Sequence, residues 1–256
     1  MCGKNIAIVT GASSGIGREF VKLLCDNKKI DAIWAIAREE DEPENAVGAQ
    51  KVRVFALDLT DRRNFDVISS ALESEKPNIL YLINCAGFAK FCQYDDISVD
   101  VSINMIDLNI SALVTMGLIC LPYMCEGAHI INMASQAAFQ PVPYQNIYSS
   151  TKAFVRNYTR ALNVELRDRG ICATAVCPGW MNTALIKRAK TGAKKATNKF
   201  PCMVEPRPVA QKALKDADKN KDTSVYGLCI KLAHVASKLL PQRLLMKLWL
   251  MQQGIK

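Results

Sequence analysis

A glycine-spaced loop directly after the first apolar run constrains the fold of this chain more than any other feature. The run Asn5–Thr10 leads into Thr10-Gly11-Ala12-Ser13-Ser14-Gly15-Ile16-Gly17, and apolar residues at helical spacing follow. Gly11 permits a tight turn, Gly15 lets the backbone approach a phosphate, and Gly17 lets the helix pack on the sheet. The helix N-terminus then offers free amides and a positive dipole end to an anion. The pattern predicts a nucleotide-phosphate site, although the same glycines also suit a purely structural turn.

Strand-like apolar runs and helical patterns alternate along most of the chain. After the first strand, we predict strands at residues 32–37, 52–57, 79–83, 128–133 and 171–176, and helices at residues 61–75, 101–125 and 146–167. Strands that are apolar throughout and separated by helices are typical of a parallel sheet covered on both faces. The predicted fold is therefore α/β, a doubly wound, three-layer Rossmann fold in a single domain over residues 1–256. Its ligands bind beyond the carboxyl ends of the strands.

The regular alternation fades after Pro178. We interpret residues 180–208 as a substrate lid made of a loop and a short helix, followed by a helix at 208–219 and a last strand at 225–228. Eleven basic and three acidic residues lie between positions 187 and 221, which suits a solvated surface or attraction of an anionic substrate or membrane. A C-terminal amphipathic helix at 239–252 has two interpretations. It packs on its own domain or a subunit partner, or it lies in a membrane interface.

Composition and cysteine placement disfavour several classes of protein. We expect no secretory leader, and no unbroken run of eighteen apolar residues predicts a membrane-spanning helix. Several of the ten cysteines lie in apolar runs and none forms a Cys-x-x-Cys pair, so we predict reduced thiols in a cytoplasmic protein rather than disulfides. The two histidines, His129 and His234, lack the spacing of metal ligands, so we predict no metal site.

The end of the second predicted strand bears on the choice of dinucleotide. NAD-binding folds usually place an acidic residue there for the ribose 2′-hydroxyl, whereas this chain has Arg38 followed by Glu39 and Glu40. A guanidinium forms charge-assisted contacts with a 2′-phosphate. We therefore predict NADP(H) rather than NAD(H), with the alternative that Arg38 pairs with one of the neighbouring acids.

A tyrosine and a lysine stand four residues apart at the start of a predicted helix. Tyr148 and Lys152 thus share one helix face. A nearby ammonium favours the phenolate and lowers the pKa of the phenol, so that the pair exchanges a proton with a substrate oxygen near neutral pH. Such spacing also arises by chance. Ser135 follows the fifth predicted strand, where its hydroxyl either hydrogen-bonds a carbonyl oxygen or caps a turn.

Taken together, these motifs resemble those of the short-chain dehydrogenase/reductase superfamily over residues 4–183. The TGxxxGIG loop and the YxxxK pair both match, and so does Pro178-Gly179 after the sixth strand. The NNAG motif appears as Asn84-Cys85-Ala86-Gly87, where Cys85 is a departure. The resemblance implies a set of cofactor-binding residues: Gly11, Ser13, Ser14, Gly15, Ile16, Gly17, Arg38, Asp58, Leu59, Asn84, Ala86, Gly87, Tyr148, Lys152, Pro178, Gly179 and Thr183.

The same resemblance implies a catalytic tetrad with distinct roles. Tyr148 is the acid/base for a ketone or secondary alcohol, and Ser135 polarises the carbonyl oxygen. Lys152 holds the nicotinamide ribose and lowers the pKa of the tyrosine. Asn109 positions a water in a proton relay. The hydride comes from the nicotinamide and not from the protein.

Residues around the predicted lid favour an apolar substrate. The predicted pocket residues are Ala137, Tyr144, Trp180 and Met181, together with Phe139, Val142, Leu185 and the C-terminal helix. This lining favours a steroid, a fatty ketone or a ketoacyl compound, and the basic segment suits an anionic group on the same molecule. The same residues also suit ordinary lid packing.

Partners and competing functions follow from the same features. The resemblance implies a homodimer or homotetramer, formed through the helices around 109–125 and 146–167. One alternative is a non-catalytic, NADP(H)-binding regulatory protein on the same fold, which the complete tetrad disfavours. The other is nucleic-acid binding through the basic segment, which lacks interleaved aromatic residues and any known recognition element. We therefore predict no nucleic-acid partner.

Overall fold

Residues 3–38, 51–192 and 197–255 of this computed structural model are described, and they form one parallel sheet. Its strands are β1 (Asn5–Thr10), β2 (Ala32–Ala37), β3 (Val52–Ala56), β4 (Asn78–Asn84), β5 (His129–Met133), β6 (Cys172–Val176) and β7 (Thr223–Ser224). Their order in the sheet is β3-β2-β1-β4-β5-β6-β7, and each neighbouring pair is parallel. The order reverses at β1, beside β4, which is where a doubly wound sheet binds its ligand.

Helices cover both faces of the sheet, as the apolar strands predict. They are α1 (Gly15–Cys25), α2 (Asn64–Glu75), α3 (Val99–Ile106), α4 (Ala112–Cys120), α5 (Asn146–Glu165), α6 (Ala184–Lys190), α7 (Pro206–Ala217), α8 (Leu228–Leu239) and α9 (Gln242–Gln253). One face carries a core that α2 and α4 share with the strands, and the other a core that α1 and α7 share with them. The prediction of a three-layer Rossmann fold in a single domain is confirmed.

The C-terminal quarter differs from the sequence prediction. The last strand is Thr223–Ser224 rather than 225–228, because its pairing with β6 stops at Ser224. Gly227 then turns the chain with a φ of +85°, and residues 228–239 form a helix that the sequence analysis missed. The final helix begins at Gln242, three residues later than predicted, because Leu240 and Pro241 separate it from α8.

One helical stretch within the described residues is long and apolar enough to cross a membrane by length and composition alone. Residues 99–123 run from α3 through α4 with a mean hydropathy of 1.7 in the most apolar window. Asp107 and Asn109 interrupt the apolar run, so a search for unbroken stretches overlooks it. Met116 and Cys120 from this stretch are fully buried in the core beside the sheet. Core helices of soluble proteins meet the same two criteria.

A disulfide corrects the prediction that the cysteines are all reduced. Cys202, in the lid segment, is bonded to Cys229 at the start of α8, and their Cα atoms are 6.8 Å apart. The two residues lie 27 positions apart in the sequence. Only the folding of the lid onto α8 brings them together, so no local spacing signals the bond. The described cysteines Cys25, Cys85, Cys92, Cys120, Cys125, Cys172 and Cys177 are free thiols.

Candidate active site

The glycine loop after β1 is compact because Gly11 and Gly17 lie where a side chain would not fit. A Cβ on Gly17 would lie 2.1 Å from the carbonyl oxygen of Gly11. A Cβ on Gly11, whose φ is +64°, would lie 2.8 Å from the amide nitrogen of Ala86. The Thr10 hydroxyl accepts hydrogen bonds of 3.1 Å from the amides of Cys85 and Ala86. Thr10 thus ties the loop to the segment after β4, a positioning role that the sequence analysis missed.

A cleft of about 440 Å³ lies over this loop at the carboxyl edge of the sheet. Within the described part of the chain no side chain caps the N-terminus of α1, which leaves its first amides available to a phosphate. The predicted cofactor residues that line the cleft are Gly11, Ser13, Ser14, Gly15, Ile16, Gly17, Arg38, Asp58, Leu59, Ala86, Gly87 and Thr183. The close-packed glycines, the uncapped helix and these lining residues fit a dinucleotide.

Asn84 is the predicted cofactor residue that the structure places differently. Its side chain is 3% exposed and donates a 2.9 Å hydrogen bond to the Asn132 Oδ1, away from the cleft. The Asn132 Nδ2 in turn donates to the Thr159 hydroxyl. Asn84 therefore links β4 to β5 and α5 beneath the site rather than lining it.

The predicted acid/base and carbonyl-polarising residues come together. Ser135 follows β5, Tyr148 lies in the first turn of α5, and both side chains line the same cavity. The Ser135 Oγ accepts a 3.1 Å bond from the amide of Ala137, which fixes its position. The Tyr148 ring packs edge-on against Phe91 at 6.0 Å between centroids. The two hydroxyls thus form a rigid pair in an apolar wall.

Burial sets the protonation of the Tyr148–Lys152 pair. It raises the pKa of Tyr148, and the neighbouring Ser135 side chain only partly offsets this effect. It also lowers the pKa of Lys152 to about 8. The Lys152 Nζ lies 5.8 Å from the tyrosine ring centroid and donates a 2.8 Å bond to the carbonyl of Met133. The sequence analysis predicted a lowered Tyr148 pKa, whereas burial raises it in the structure. The phenol therefore keeps its proton at neutral pH.

Asn109 holds the wall behind the lysine. It lies in a π-helical turn, Asp107–Ser111, between α3 and α4, and is 1% exposed. Its Oδ1 accepts from the amide of Phe88, and its Nδ2 donates to the Phe88 carbonyl and to the Thr151 hydroxyl, all at 3.0–3.1 Å. These bonds clamp the segment after β4 to α5, next to Lys152. The water-relay role implied by the resemblance stays a prediction.

A second cavity of about 260 Å³ adjoins the cleft and is lined by both Ser135 and Tyr148. Of the predicted pocket residues, Ala137, Trp180 and Met181 line it, together with Phe139, Val142 and Leu185. Pro178 and Gly179, predicted to contact the cofactor, also line this cavity. Tyr144 does not, because its backbone turns with a φ of +66° and its neighbours Val142 and Gln145 face the cavity instead. Phe91 and Ile230 belong to the wall but were missed, since their segments carry no motif.

The lid and the C-terminal helix close this cavity through side-chain hydrogen bonds. The Gln253 Oε1 accepts from the amides of Asn198 and Lys199, both at 2.9 Å. The Trp249 Nε1 donates to the carbonyl of Pro143, and its ring stacks on Trp180 at 6.4 Å. The aromatic wall is thus assembled from segments that are far apart in sequence.

A dinucleotide cleft that opens onto a buried Ser–Tyr–Lys group defines a nicotinamide-dependent oxidoreductase of the α/β class. The family model for short chain dehydrogenases matches residues 5–194. The chain therefore belongs to the short-chain dehydrogenase family, and the resemblance drawn from its motifs is confirmed.

Known relatives agree with this assignment. An uncharacterised oxidoreductase of Staphylococcus epidermidis is 30% identical over 197 residues, which is 75% of this chain and 84% of the relative. A short-chain dehydrogenase from Sphingobium yanoikuyae, solved in complex with NADPH, has a TM-score of 0.76 at 25% identity and covers 94% of this chain and 95% of its own. A serine dehydrogenase complexed with NADP⁺ has a TM-score of 0.74 at 26% identity, covering 86% and 94%. A nicotinamide cofactor is thus supported.

Proposed function

We propose that this protein transfers a hydride between NADP(H) and a ketone or secondary alcohol of an apolar substrate. The observation that carries the proposal is that Ser135, Tyr148 and Lys152 line one cavity, which adjoins the dinucleotide cleft. Cys85, Gly87, Thr183 and other residues line both spaces, so a substrate beside the tyrosine also faces the nicotinamide end of the cleft.

The protein's own groups would handle the proton. When bound, NADPH would supply the hydride that the carbonyl carbon receives. The protonated Tyr148 donates its proton to the carbonyl oxygen, so the product is a secondary alcohol. Ser135 donates a hydrogen bond to the same oxygen and orients it. Lys152 would hold the nicotinamide ribose, and its charge would stabilise the phenolate that Tyr148 becomes. The reverse sequence oxidises the alcohol.

Preference for NADP(H) would rest on Arg38. This residue directly follows β2 and lines the cleft where an adenine ribose would lie. Two similar structures contain NADPH or NADP⁺, which agrees with this assignment. We expect Arg38→Asp to reverse the preference by lowering kcat/KM for NADPH at least tenfold, because an Asp repels a 2′-phosphate and accepts from a 2′-hydroxyl.

The test compares both cofactors with the Arg38→Asp variant and with Arg18→Asp as a surface control. The control should keep the original ratio of kcat/KM between NADPH and NADH. If the ratio in Arg38→Asp is unchanged, Arg38 does not determine the cofactor preference.

The substrate class follows from the wall of the catalytic cavity. Aromatic and aliphatic side chains dominate this wall, while its polar groups include the amides of Gln136, Gln140 and Gln145. Lys152 is the charged side chain that reaches it among the described residues. We therefore favour a neutral ring system or alkyl chain that bears one carbonyl. Consumption of NADPH with a panel of ketosteroids, ketoacyl thioesters and small ketones tests this assignment.

Self-association would use the outer faces of α3, α4 and α5. Ile103, Leu118, Phe154 and Val164 on these helices are all 42–63% exposed. Members of this family commonly form oligomers, and an apolar strip of this kind suits an isologous helix interface. We propose a homodimer or homotetramer through this surface.

A further inference from the structure

The two C-terminal helices each carry an apolar stripe on the outside of the molecule. On α8, Leu228, Leu232, Val235 and Leu239 recur at helical spacing and are 53–77% exposed. On α9, Leu244, Leu248 and Met251 do the same at 42–74%. Different residues face inward: Ile230 on α8, and Leu245, Trp249 and Gln253 on α9. The outer stripes are therefore additional to the apolar faces that hold the helices in place.

The charges beside these stripes are all of one sign. Residues 227–256 contain five Lys or Arg residues and no Asp or Glu. Lys231 and Lys238 are next to stripe residues on α8, and Arg243 and Lys247 are next to them on α9. All four are exposed. A helix pair with exposed leucines and only positive charge is complementary to a surface that is apolar beneath an anionic layer.

The same helices border the substrate cavity. Cys229, Ile230 and Ala233 of α8 line its wall, as do Trp249 and Gln252 of α9. The disulfide and the Gln253 hydrogen bonds tie the lid to these helices. A surface that engages α8 and α9 therefore lies at the entrance to the cavity.

From these observations we propose that α8 and α9 dock the protein on the surface of an anionic phospholipid bilayer. The leucine and methionine stripes enter the boundary between headgroups and acyl chains, while the four cations contact the lipid phosphates. Docking would let an apolar carbonyl compound pass from the bilayer into the cavity, and this consequence alone rests on the proposed function. Membrane contact itself requires no catalysis.

Vesicle flotation of the full chain tests the proposal without a substrate. The probes are vesicles of phosphatidylcholine alone and vesicles with about 30% phosphatidylglycerol. We expect at least about tenfold more protein to float with the anionic vesicles, and about 0.5 M NaCl to reduce this recovery. Protein that stays in the soluble fraction with both vesicle types would overturn the proposal.

Two double variants locate the surface. Leu232→Ser with Leu239→Ser should reduce flotation at least about tenfold, because two apolar anchors are lost. Val67→Ser with Tyr94→Ser removes two exposed hydrophobic side chains that lie outside α3–α5, α8 and α9, at 47% and 75% exposure, and should float as the unaltered chain does. Melting temperatures check that both variants fold. Equal flotation of the two variants would refute the assignment to α8.

Light scattering distinguishes membrane contact from self-association at this face. A smaller oligomer for the Leu232 and Leu239 variant, with unchanged flotation, would assign this face to a second copy of the chain instead.

Discussion

At the scale of single residues, the site holds a lysine where folding alone would disfavour one. Lys152 is 6% exposed, and among the described residues its ammonium donates to one acceptor, the Met133 carbonyl. Burial without a carboxylate partner disfavours the charged form, which is why the pKa falls to about 8. A bound cofactor would supply the missing hydroxyl acceptors. The buried ammonium therefore lowers the free energy of unfolding of the protein without its cofactor.

Replacing Lys152 should reveal this cost. The fall in pKa from 10.5 to about 8 corresponds to about 3 kcal/mol of lost stability, which Lys152→Met would restore. The Met133 carbonyl loses its lysine donor in this variant, and this loss partly offsets the gain. The cost is complete below about pH 8, where both the folded and the unfolded chain are protonated. It declines as pH rises towards 10.5, because the folded chain releases its proton first.

We therefore expect Lys152→Met, without added nucleotide, to raise the free energy of unfolding by roughly 1–3 kcal/mol at neutral pH and by less near pH 10. Urea unfolding at the two pH values measures the difference. Lys231→Met, which changes an exposed lysine, is the control and should alter stability little at either pH. A Lys152→Met variant that is less stable than the parent at neutral pH would contradict this account.

The residues of the site were predictable where a motif fixes both residue type and spacing. Gly11, Ser135, Tyr148 and Lys152 lie where their spacing predicts, because strand ends and a single helix face determine their positions. Asn84 was misplaced, since its amide is bonded to a strand that lies 48 residues further along the chain. The direction of the Tyr148 pKa was wrong for a related reason. The spacing of Tyr148 and Lys152 predicts that a lysine is near the phenol. The burial that raises the Tyr148 pKa depends instead on all the residues that surround the phenol.

At the scale of the elements, the lid is held by bonds that cross the chain. Its contacts include the Cys202–Cys229 disulfide, the Gln145–Thr197 hydrogen bond and the bonds from Gln253. Each joins the segment before α7 to another part of the cavity wall. These contacts hold the lid in addition to the backbone bridge between Met181 and Val204 within it.

Breaking the disulfide should loosen this closure. A cross-link over 27 residues stabilises by about 3 kcal/mol, chiefly by restricting the unfolded chain. We expect Cys202→Ser to lower the melting temperature by roughly 10 °C. Dithiothreitol should lower the melting temperature of the unaltered chain to a similar extent.

The exposed free thiol Cys125 provides the control. Cys125→Ser should melt as the parent does and should remain sensitive to dithiothreitol, whereas Cys202→Ser should be insensitive to it. A parent chain whose melting temperature ignores the reductant would show that the bond does not contribute.

The strands and central helices were predictable because their apolar patterns are strong and the sheet buries them on both sides. β7 was misplaced because it has only two residues, too few for any periodicity. α8 was missed although Lys231, His234 and Lys238 recur along it at helical spacing, because a strand was predicted at 225–228, where the chain turns at Gly227 instead. Apolar residues on both the inner and the outer side of α8 make it a candidate for membrane contact.

At the scale of the whole molecule, distinct surfaces surround the candidate active site. The dinucleotide cleft and the second cavity adjoin at the carboxyl edge of the sheet, α3 to α5 present one apolar strip, and α8 with α9 presents another. Light scattering should therefore give a mass of about two or four times the chain mass of 28.3 kDa. A mass of one chain at micromolar concentration would contradict the proposed oligomer.

The central claim is that Tyr148 transfers the proton that accompanies hydride transfer from NADPH to a carbonyl carbon. Its most direct test follows deuterium from the transferable position of labelled NADPH into the alcohol product by mass spectrometry. We predict that the parent and Tyr158→Phe, a matched change on the same helix, transfer the label. Tyr148→Phe should still bind NADPH but form at least about a hundredfold less labelled alcohol. Undiminished labelling by Tyr148→Phe, or an alcohol without label from the parent, would contradict the account.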